Sequence, residues 1–194
     1  MNFFILFLLL FSHSLCKSIR HSEIDSCDDT VNGIGIEWDG EDDKINSKFY
    51  KCYLKLPKTK LNYVNESCFS IDVPYHYCVS KKIIYSSSVP TSGSHRPNWP
   101  VYGEYLYCPP QRWLHALEHG AVVFLYDPCA DEYEIEIFRS IAQKCLRRFI
   151  LTPHSSLEND SLFTIVTYGC KLELTNLIGN EKIVTDYIKV SLQN

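Results

Sequence analysis

The chain has 194 residues, a net charge of −4 at neutral pH and an isoelectric point of about 6.0, and 45% of its residues are hydrophobic. Charges of both signs are interspersed along it, which excludes a polybasic surface for nucleic acid or anionic lipid. The length is enough for one domain with a substantial hydrophobic core.

The first 16 residues have the outline of a secretory signal peptide. An apolar run from Phe3 to Phe11 is followed by small and polar residues, and cleavage is predicted after Cys16. The run is too short for a membrane span, and an uncleaved signal anchor is the alternative. No later run is long enough to cross a bilayer. The sequence therefore predicts a protein that is secreted or lies in the lumen of the secretory pathway, with no transmembrane span after signal removal.

The cysteines and two glycosylation sequons indicate the same compartment. Of nine cysteines, those left after signal removal favour disulfides over metal thiolates, because no C-x-x-C pair occurs. Asn65 and Asn159 each begin a sequon and are predicted to be N-glycosylated. The disulfide candidates are Cys27, Cys52, Cys68, Cys78, Cys108, Cys129, Cys145 and Cys170.

Residues 17–48 are predicted to form an acidic N-terminal arm ahead of a core domain at residues 49–194. The arm contains one strand-like segment, Gly33–Trp38, and we expect Cys27 to pin it to the core. Its acidic residues lack the spacing of a helix–loop–helix calcium site, so they predict a solvated surface.

The first part of the core domain is predicted to contain strands and turns. Apolar alternation predicts strands at Phe49–Leu56, Phe69–Val73 and Ile83–Tyr85. His76 lies in a Pro-Tyr-His-Tyr-Cys turn, and we interpret it as a structural residue.

A long loop and a short helix follow. The prolines and glycines of Val89–Tyr107 interrupt any helix or central strand, so this stretch is predicted to be an ordered, irregular loop. Pro109 and Pro110 suit the first turn of a helix of about two and a half turns, which Gly120 ends in a left-handed conformation.

This helix carries the most informative polar residues. At about 100° per residue, His115, Glu118 and His119 lie together on the side opposite Trp113, so the histidines are not expected to face the core. The preceding loop carries His95. If the loop folds over the helix, three imidazoles and a carboxylate meet.

Several motifs of this region resemble the animal tumor protein p-53-inducible protein 13 family. They are T-S-G-x-H-x-P at residues 91–97, W-P-V-Y-G-E-Y at residues 99–105, P-P-Q-R-W-L-H at residues 109–115 and L-E-H-G at residues 117–120. The core domain is also similar to one of unknown function in bacterial secreted or membrane-anchored proteins, where T-S-G-x-H and H-x-L-E-H-G recur.

The resemblance extends from about Cys68 to about Leu192. The resemblance implies that the chain shares the family's fold and passes through the secretory pathway. It implies no reaction, because none is established for the family. The animal members carry a further membrane-anchoring segment. None is found up to Asn194, so a cell-surface anchor is not expected.

The second half alternates strands with helices. After a strand at Ala121–Tyr126, apolar residues recurring at three and four predict an amphipathic helix over Asp131–Phe149, with acidic residues first and basic residues last. Cys129 and Cys145 bracket this helix and cannot pair with each other, because a helix rises about 1.5 Å per residue. Cys145 is expected to point inward, either bridged to another cysteine or buried as a free thiol.

Further strands are predicted at Ile150–Pro153 and Leu162–Gly169, with a half-exposed extension at Lys171–Leu174 and an amphipathic closing helix at Glu181–Leu192. The predicted fold is a disulfide-stabilised α+β single domain. Its sheet is mixed or mostly antiparallel and is covered by two helices on one face.

His95, His115 and His119 are candidate metal ligands, with Glu118 as a fourth ligand or as the partner that orients a ring. Imidazole nitrogens suit zinc or copper. His154 is a further imidazole that can join these ligands or take part in the structural alternative. In the alternative interpretation, the histidines bond loop carbonyls within a purely structural extracellular domain.

The string from His115 to His119 also matches H-x-x-E-H, the pattern of inverted zinc peptidases, in which Glu118 would activate water. Those peptidases need a longer helix and a distant acidic ligand, whereas Gly120 ends this helix at once. The sequence therefore favours a binding or interaction module with a His-based metal site and an unidentified protein or small-molecule partner. A zinc-dependent hydrolase and a purely structural domain are the alternatives, and an enzyme is the less favoured class.

Overall fold

The computed structural model describes residues 18–19, 27–28, 49–53 and 62–191. The predicted signal peptide, most of the acidic arm, its strand-like segment Gly33–Trp38 and residues 54–56 of a predicted strand lie outside the described residues. Within the described part of the chain, no helix has the length and apolar character to cross a bilayer.

Eight strands and three helices make up the described fold. The strands are β1 Ser18–Ile19, β2 Val64–Cys68, β3 Trp99–Pro100, β4 Gly103–Glu104, β5 Val122–Tyr126, β6 Phe149–Pro153, β7 Phe163–Thr167 and β8 Cys170–Leu174. The helices are α1 Pro110–Glu118, α2 Glu132–Cys145 and α3 Glu181–Ser191.

A six-stranded mixed sheet in the order β2-β8-β7-β5-β6-β4 forms the centre. Strand β6 runs parallel to both β5 and β4, whereas the other neighbours in the sheet are antiparallel. Strands β1 and β3 form a separate antiparallel pair. The predicted α+β class with a mixed sheet is confirmed.

The two faces of the sheet pack against different helices. Successive strand residues point to opposite faces, so Val122 and Phe124 of β5 pack in one cluster with α2 and α3, while Val123 and Leu125 pack in another with α1. Two helices therefore share one face, as predicted, and the long loop lies with α1 on the other.

Helix α2 begins where the sequence places it but ends earlier than predicted. The Asp131 carboxylate accepts hydrogen bonds from the backbone N–H groups of Tyr133 (3.0 Å) and Glu134 (3.4 Å), as an N-cap does. The predicted continuation to Phe149 is wrong. Leu146 turns extended (φ −136°, ψ 144°) and Phe149 starts β6, because pairing with β5 takes precedence over the apolar period.

Several strand predictions in the first half are also wrong. Residues 49–53 form a turn, and neither Phe69–Val73 nor Ile83–Tyr85 is a strand. The strand β2 instead has the polar sequence V-N-E-S-C, and its backbone pairs with β8 along an edge of the sheet.

The predicted half-exposed extension Lys171–Leu174 is buried in β8. Lys171 is 4% exposed and Glu173 is 1% exposed. The Lys171 ammonium lies 2.5 Å from a Glu158 oxygen and 3.3 Å from a Glu173 oxygen. These charges tolerate burial because they pair, a relationship that apolar alternation does not reveal.

Three disulfides join distant segments: Cys27–Cys78, Cys52–Cys129 and Cys68–Cys170. The bonded cysteines are 51, 77 and 102 residues apart in sequence. In the chain-entropy model, each disulfide therefore contributes about 4–5 kcal/mol to the free energy of unfolding. Disulfide stabilisation is thus confirmed, with Cys129 bonded elsewhere than to Cys145.

Two of the eight candidate cysteines lie outside these bridges. Cys108 is buried, whereas Cys145 is a free, exposed thiol. The prediction that Cys145 points inward is wrong, because it is the last residue of α2 and the chain leaves the helix there.

The two sequons differ in setting. Asn65 lies in the edge strand β2, and Asn159 lies exposed in a turn with φ 56°. The Asn159 amide donates to both carboxylate oxygens of Glu173 at 3.1 Å. Glycosylation at either position stays a prediction.

Candidate metal centre

Helix α1 carries three of the candidate metal ligands at its C-terminal end, namely His115, Glu118 and His119. Pro109 is its N-cap and Pro110 its first residue, while His119 is its C-cap and Gly120 follows with φ +74°. The predicted helix is therefore confirmed. Its end places Glu118 and His119 at the surface.

His115 is buried, with 3% of its surface exposed, although the helical wheel places it away from the sheet. The loop supplies the cover. The ring centroid of His115 lies 4.7 Å from that of His95 and 4.8 Å from that of Trp99. The long loop therefore folds over α1, as predicted.

The same loop also brings in His76. The His95 backbone N–H donates to the Tyr75 carbonyl at 3.0 Å, and the Tyr77 N–H donates to the His95 carbonyl at 2.9 Å. These two bonds form an isolated parallel bridge between His76 and His95. Consequently, a residue that the sequence suggested was structural lies beside the candidate ligands.

Four side chains from three chain segments converge here: His76, His95, His115 and Glu118. One potential ligand atom from each lies within 4.8 Å of all the others. The Glu118 Oε2 atom is 3.1 Å from His95 Nε2 and 3.9 Å from His76 Nε2. The ring centroid of His76 is 4.8 Å from those of both His95 and His115.

Backbone carbonyls determine which ring nitrogen faces the cluster. His95 Nδ1 lies 2.9 Å from the Gly93 oxygen, and His115 Nδ1 lies 2.8 Å from the Arg96 oxygen. A carbonyl oxygen only accepts, so each Nδ1 carries the proton and each Nε2 presents a lone pair. His95 Nε2 is buried and forms no hydrogen bond among the described residues, because the Glu118 Oε2 atom that faces it at 3.1 Å is also an acceptor.

Burial keeps these rings neutral. Burial, together with the positive charge that His95, His76 or His119 could carry, lowers the pKa of His115 to about 3, against the opposing effect of the bond to the Arg96 carbonyl. Burial also lowers the pKa of His95, while Gly93 and Glu118 act in the opposite direction. Neutral imidazole is the form that binds metal ions.

His119 lies at the outer edge of the cluster. Its Nε2 is 3.0 Å from His115 Nε2, and its ring centroid is 4.8 Å from that of Trp99. Since His115 Nε2 carries no proton, His119 is the donor in this contact. His119 is exposed and does not belong to the group of four.

The predicted site residues thus separate into two groups. The structure brings His95, His115 and Glu118 together, and among these three it places His119 in contact with His115. His154 lies elsewhere, where its Nδ1 accepts a bond from the Ser156 N–H at 3.2 Å. His76 was missed because no short spacing relates it to the other histidines, and only the loop conformation makes them neighbours.

Comparison with known proteins gives a family but no activity. Residues 76–194 match the family described as "Protein of unknown function (DUF3105)". Neither a curated protein nor a solved structure matches the chain.

Proposed function

Because this chain belongs to the DUF3105 family, whose function is unknown, we propose its function from its own residues. It is a secreted or lumenal binding module that holds one zinc or copper ion through His76, His95, His115 and Glu118.

The convergence of four donor atoms from separate segments is the observation that carries the proposal. They lie within 4.8 Å of one another, and zinc–nitrogen bonds are about 2.0–2.1 Å long, so small side-chain rotations let them reach one ion. The buried His95 Nε2 supports it further. Its lone pair faces the Glu118 Oε2 acceptor at 3.1 Å with no hydrogen bond between them, and a cation bound by both atoms would offset the cost of that contact.

The ligand types favour zinc or copper over magnesium or calcium. Imidazole nitrogen suits the former, whereas the latter prefer oxygen ligands and waters. The Gly93 and Arg96 carbonyls would orient the His95 and His115 rings, as outer partners do in metal sites. When bound, such an ion supplies a Lewis-acidic centre.

A zinc hydrolase built on H-x-x-E-H is the alternative of a different class. It requires His115 and His119 as ligands and a free Glu118 to activate water. Glu118 Oε2 instead lies 3.1 Å from His95 Nε2, which favours Glu118 as a member of the ligand set. Peptide hydrolysis that a chelator abolishes would support the hydrolase instead.

The finer affiliation and the domain organisation belong to this proposal as well. We propose that the chain is related to the tumor protein p-53-inducible protein 13 family, with a signal peptide at residues 1–16, an acidic arm at residues 17–48 and a core at residues 49–194. The three disulfides support passage through an oxidising compartment.

Metal analysis of the protein secreted from a eukaryotic host tests the proposal. We expect one zinc or copper per chain in the wild type and in His154→Gln, a matched histidine variant outside the cluster. His95→Gln should lose the ion while keeping the wild-type circular dichroism spectrum. Absence of metal from the wild type after incubation with zinc or copper, or full occupancy in His95→Gln, would refute the site.

Variants at the edge of the cluster separate the two ligand sets. Loss of the ion in His76→Gln but not in His119→Gln supports the proposed set. The opposite pattern supports the set predicted from the sequence, with His119 in place of His76.

A further inference from the structure

Residues Cys27 and Asp28 fasten the two sides of the cluster together. Cys27 forms a disulfide with Cys78, two residues after His76. Asp28 pairs with Arg112 of α1, one turn before His115. One short segment thus reaches both the His76 side and the α1 side of the proposed site, and we call it the clamp.

The α1 side of the clamp is a buried ion pair. Asp28 Oδ2 lies 2.6 Å from Arg112 Nη1, Oδ1 lies 2.9 Å from Nη2, and the two side chains are 0% and 2% exposed. The Asn98 backbone N–H donates to Asp28 Oδ2 at 3.2 Å, and Arg112 Nη1 donates to the Asn98 carbonyl at 3.1 Å. A paired and bidentate charge cluster of this kind holds a fixed geometry.

On the His76 side, the clamp adds to the backbone pairing between His76 and His95. His76 has a 46% exposed side chain and lies in a segment without regular secondary structure. Besides the disulfide, the Val79 N–H donates to the Cys27 carbonyl at 3.2 Å. The Arg96 guanidinium donates to the Cys78 carbonyl at 2.6 Å and to the Lys81 carbonyl at 2.8 Å.

We propose that the Cys27–Cys78 disulfide regulates the metal affinity of the site, an inference that rests on the proposed function. With the bridge closed, Asp28 ties the His76 segment to α1 and its ligands. A thiol reductant breaks the S–S bond and is itself oxidised to a disulfide, while two electrons and two protons pass to Cys27 and Cys78. The His76 segment is then released from the ion pair, and the ion loses a positioned ligand.

The regulation is reciprocal by thermodynamic linkage. If the closed bridge strengthens metal binding, a bound ion must stabilise the closed bridge by the same factor. The wild-type protein therefore tests the proposal without any substitution.

The first experiment is a competition titration with Zn²⁺ and a chromophoric chelator. Wild type, Cys27→Ala/Cys78→Ala and the matched control Cys68→Ala/Cys170→Ala are compared. Loss of a residue that positions a ligand weakens metal binding about 10- to 100-fold, which we expect for the first variant and not for the control. Equal affinities in all three proteins overturn the clamp, whereas absence of binding by the wild type overturns the proposed function itself.

The second experiment equilibrates wild-type protein with a dithiol–disulfide redox buffer, with and without saturating free Zn²⁺, and measures the reduced fraction of each disulfide by peptide mapping. The dithiol is oxidised to its disulfide as two electrons and two protons pass to a protein disulfide. By linkage, Zn²⁺ should lower the equilibrium constant for reduction of Cys27–Cys78 by the same factor as the affinity change, about 10- to 100-fold, and leave that of Cys68–Cys170 unaffected. An unchanged equilibrium constant at Cys27–Cys78 with zinc bound overturns the proposal.

Discussion

The Nε2 atom of His95 lies 3.1 Å from the Oε2 atom of Glu118, although one residue comes from the long loop and the other from the last turn of α1. The His95 side chain is 1% exposed and that of Glu118 is 29% exposed, so the contact lies where the cluster meets solvent. Glu118 is the one carboxylate of the group, and it reaches the surface together with His76, whose side chain is 46% exposed.

Replacing this anion should weaken metal binding without affecting the fold. In Glu118→Gln we expect Zn²⁺ affinity to fall about 10- to 100-fold, because the site loses its negative charge and one oxygen ligand. The free energy of unfolding should change little, since the side chain is partly exposed. Competition titration and urea denaturation measure the two quantities. Glu66→Gln, on the exposed side of β2, is the control, and an equal affinity in both variants would count against a role for Glu118.

The depressed pKa of His115 predicts an acid-sensitive fold in the metal-free protein. An unfolded histidine titrates near 6.5, whereas His115 titrates at about 3 when folded. Between these values the unfolded state binds more protons. The stability that the neutral His115 ring contributes is therefore fully present above about pH 6.5 and is lost as the pH falls towards 3.

Urea denaturation at several pH values between 7 and 4.5 measures this dependence. The slope of unfolding free energy against pH should be smaller in His115→Gln than in the wild type. An identical slope in the two proteins would show that folding does not shift the pKa of His115, against the expected lowering.

The buried pair of Asp28 and Arg112 predicts a large loss of stability when one partner changes. Asp28→Asn removes the carboxylate that pairs with the buried Arg112 guanidinium, and breaking a buried pair costs about 3–5 kcal/mol of unfolding free energy. Asp186→Asn is the matched control, because Asp186 and Lys182 form an exposed pair on α3. Urea denaturation of both variants at neutral pH should show a large loss in the first and almost none in the second; similar losses would contradict the buried pairing.

The exposed thiol of Cys145 predicts selective labelling. Iodoacetamide should modify Cys145 rapidly in the native protein, because the residue ends α2 at the surface. Mass spectrometry of tryptic peptides identifies the labelled site. In Cys145→Ser the fast reaction should disappear, and its persistence would mean that another cysteine is accessible.

Local signals predicted the second half of the fold well. The proline start and glycine end of α1 depend on residues adjacent in sequence, as does the Asp131 cap of α2. The contacts that overrode local signals are long-range. Phe149 leaves the apolar period of α2 because it pairs with Val122, and β2 forms by pairing with β8 despite a polar sequence.

The same distinction explains the site. The spacing of His115, Glu118 and His119 on one short helix was visible in the sequence, and so was the loop that carries His95. His76 joins through two backbone bonds to His95 and through the disulfide at Cys78, neither of which leaves a spacing pattern. His115 is buried by the loop and not by the sheet, so the helical wheel alone could not show it.

The most direct test of the central claim is a long-range ¹H–¹⁵N spectrum of the histidine rings, recorded on the oxidised protein without metal and with one equivalent of Zn²⁺. Without metal, His95 and His115 should both show the Nδ1–H tautomer. On addition of zinc, the Nε2 resonances of His76, His95 and His115 should shift together, while those of His154 stay unchanged. Rings of His76, His95 and His115 that do not respond to zinc would contradict the account.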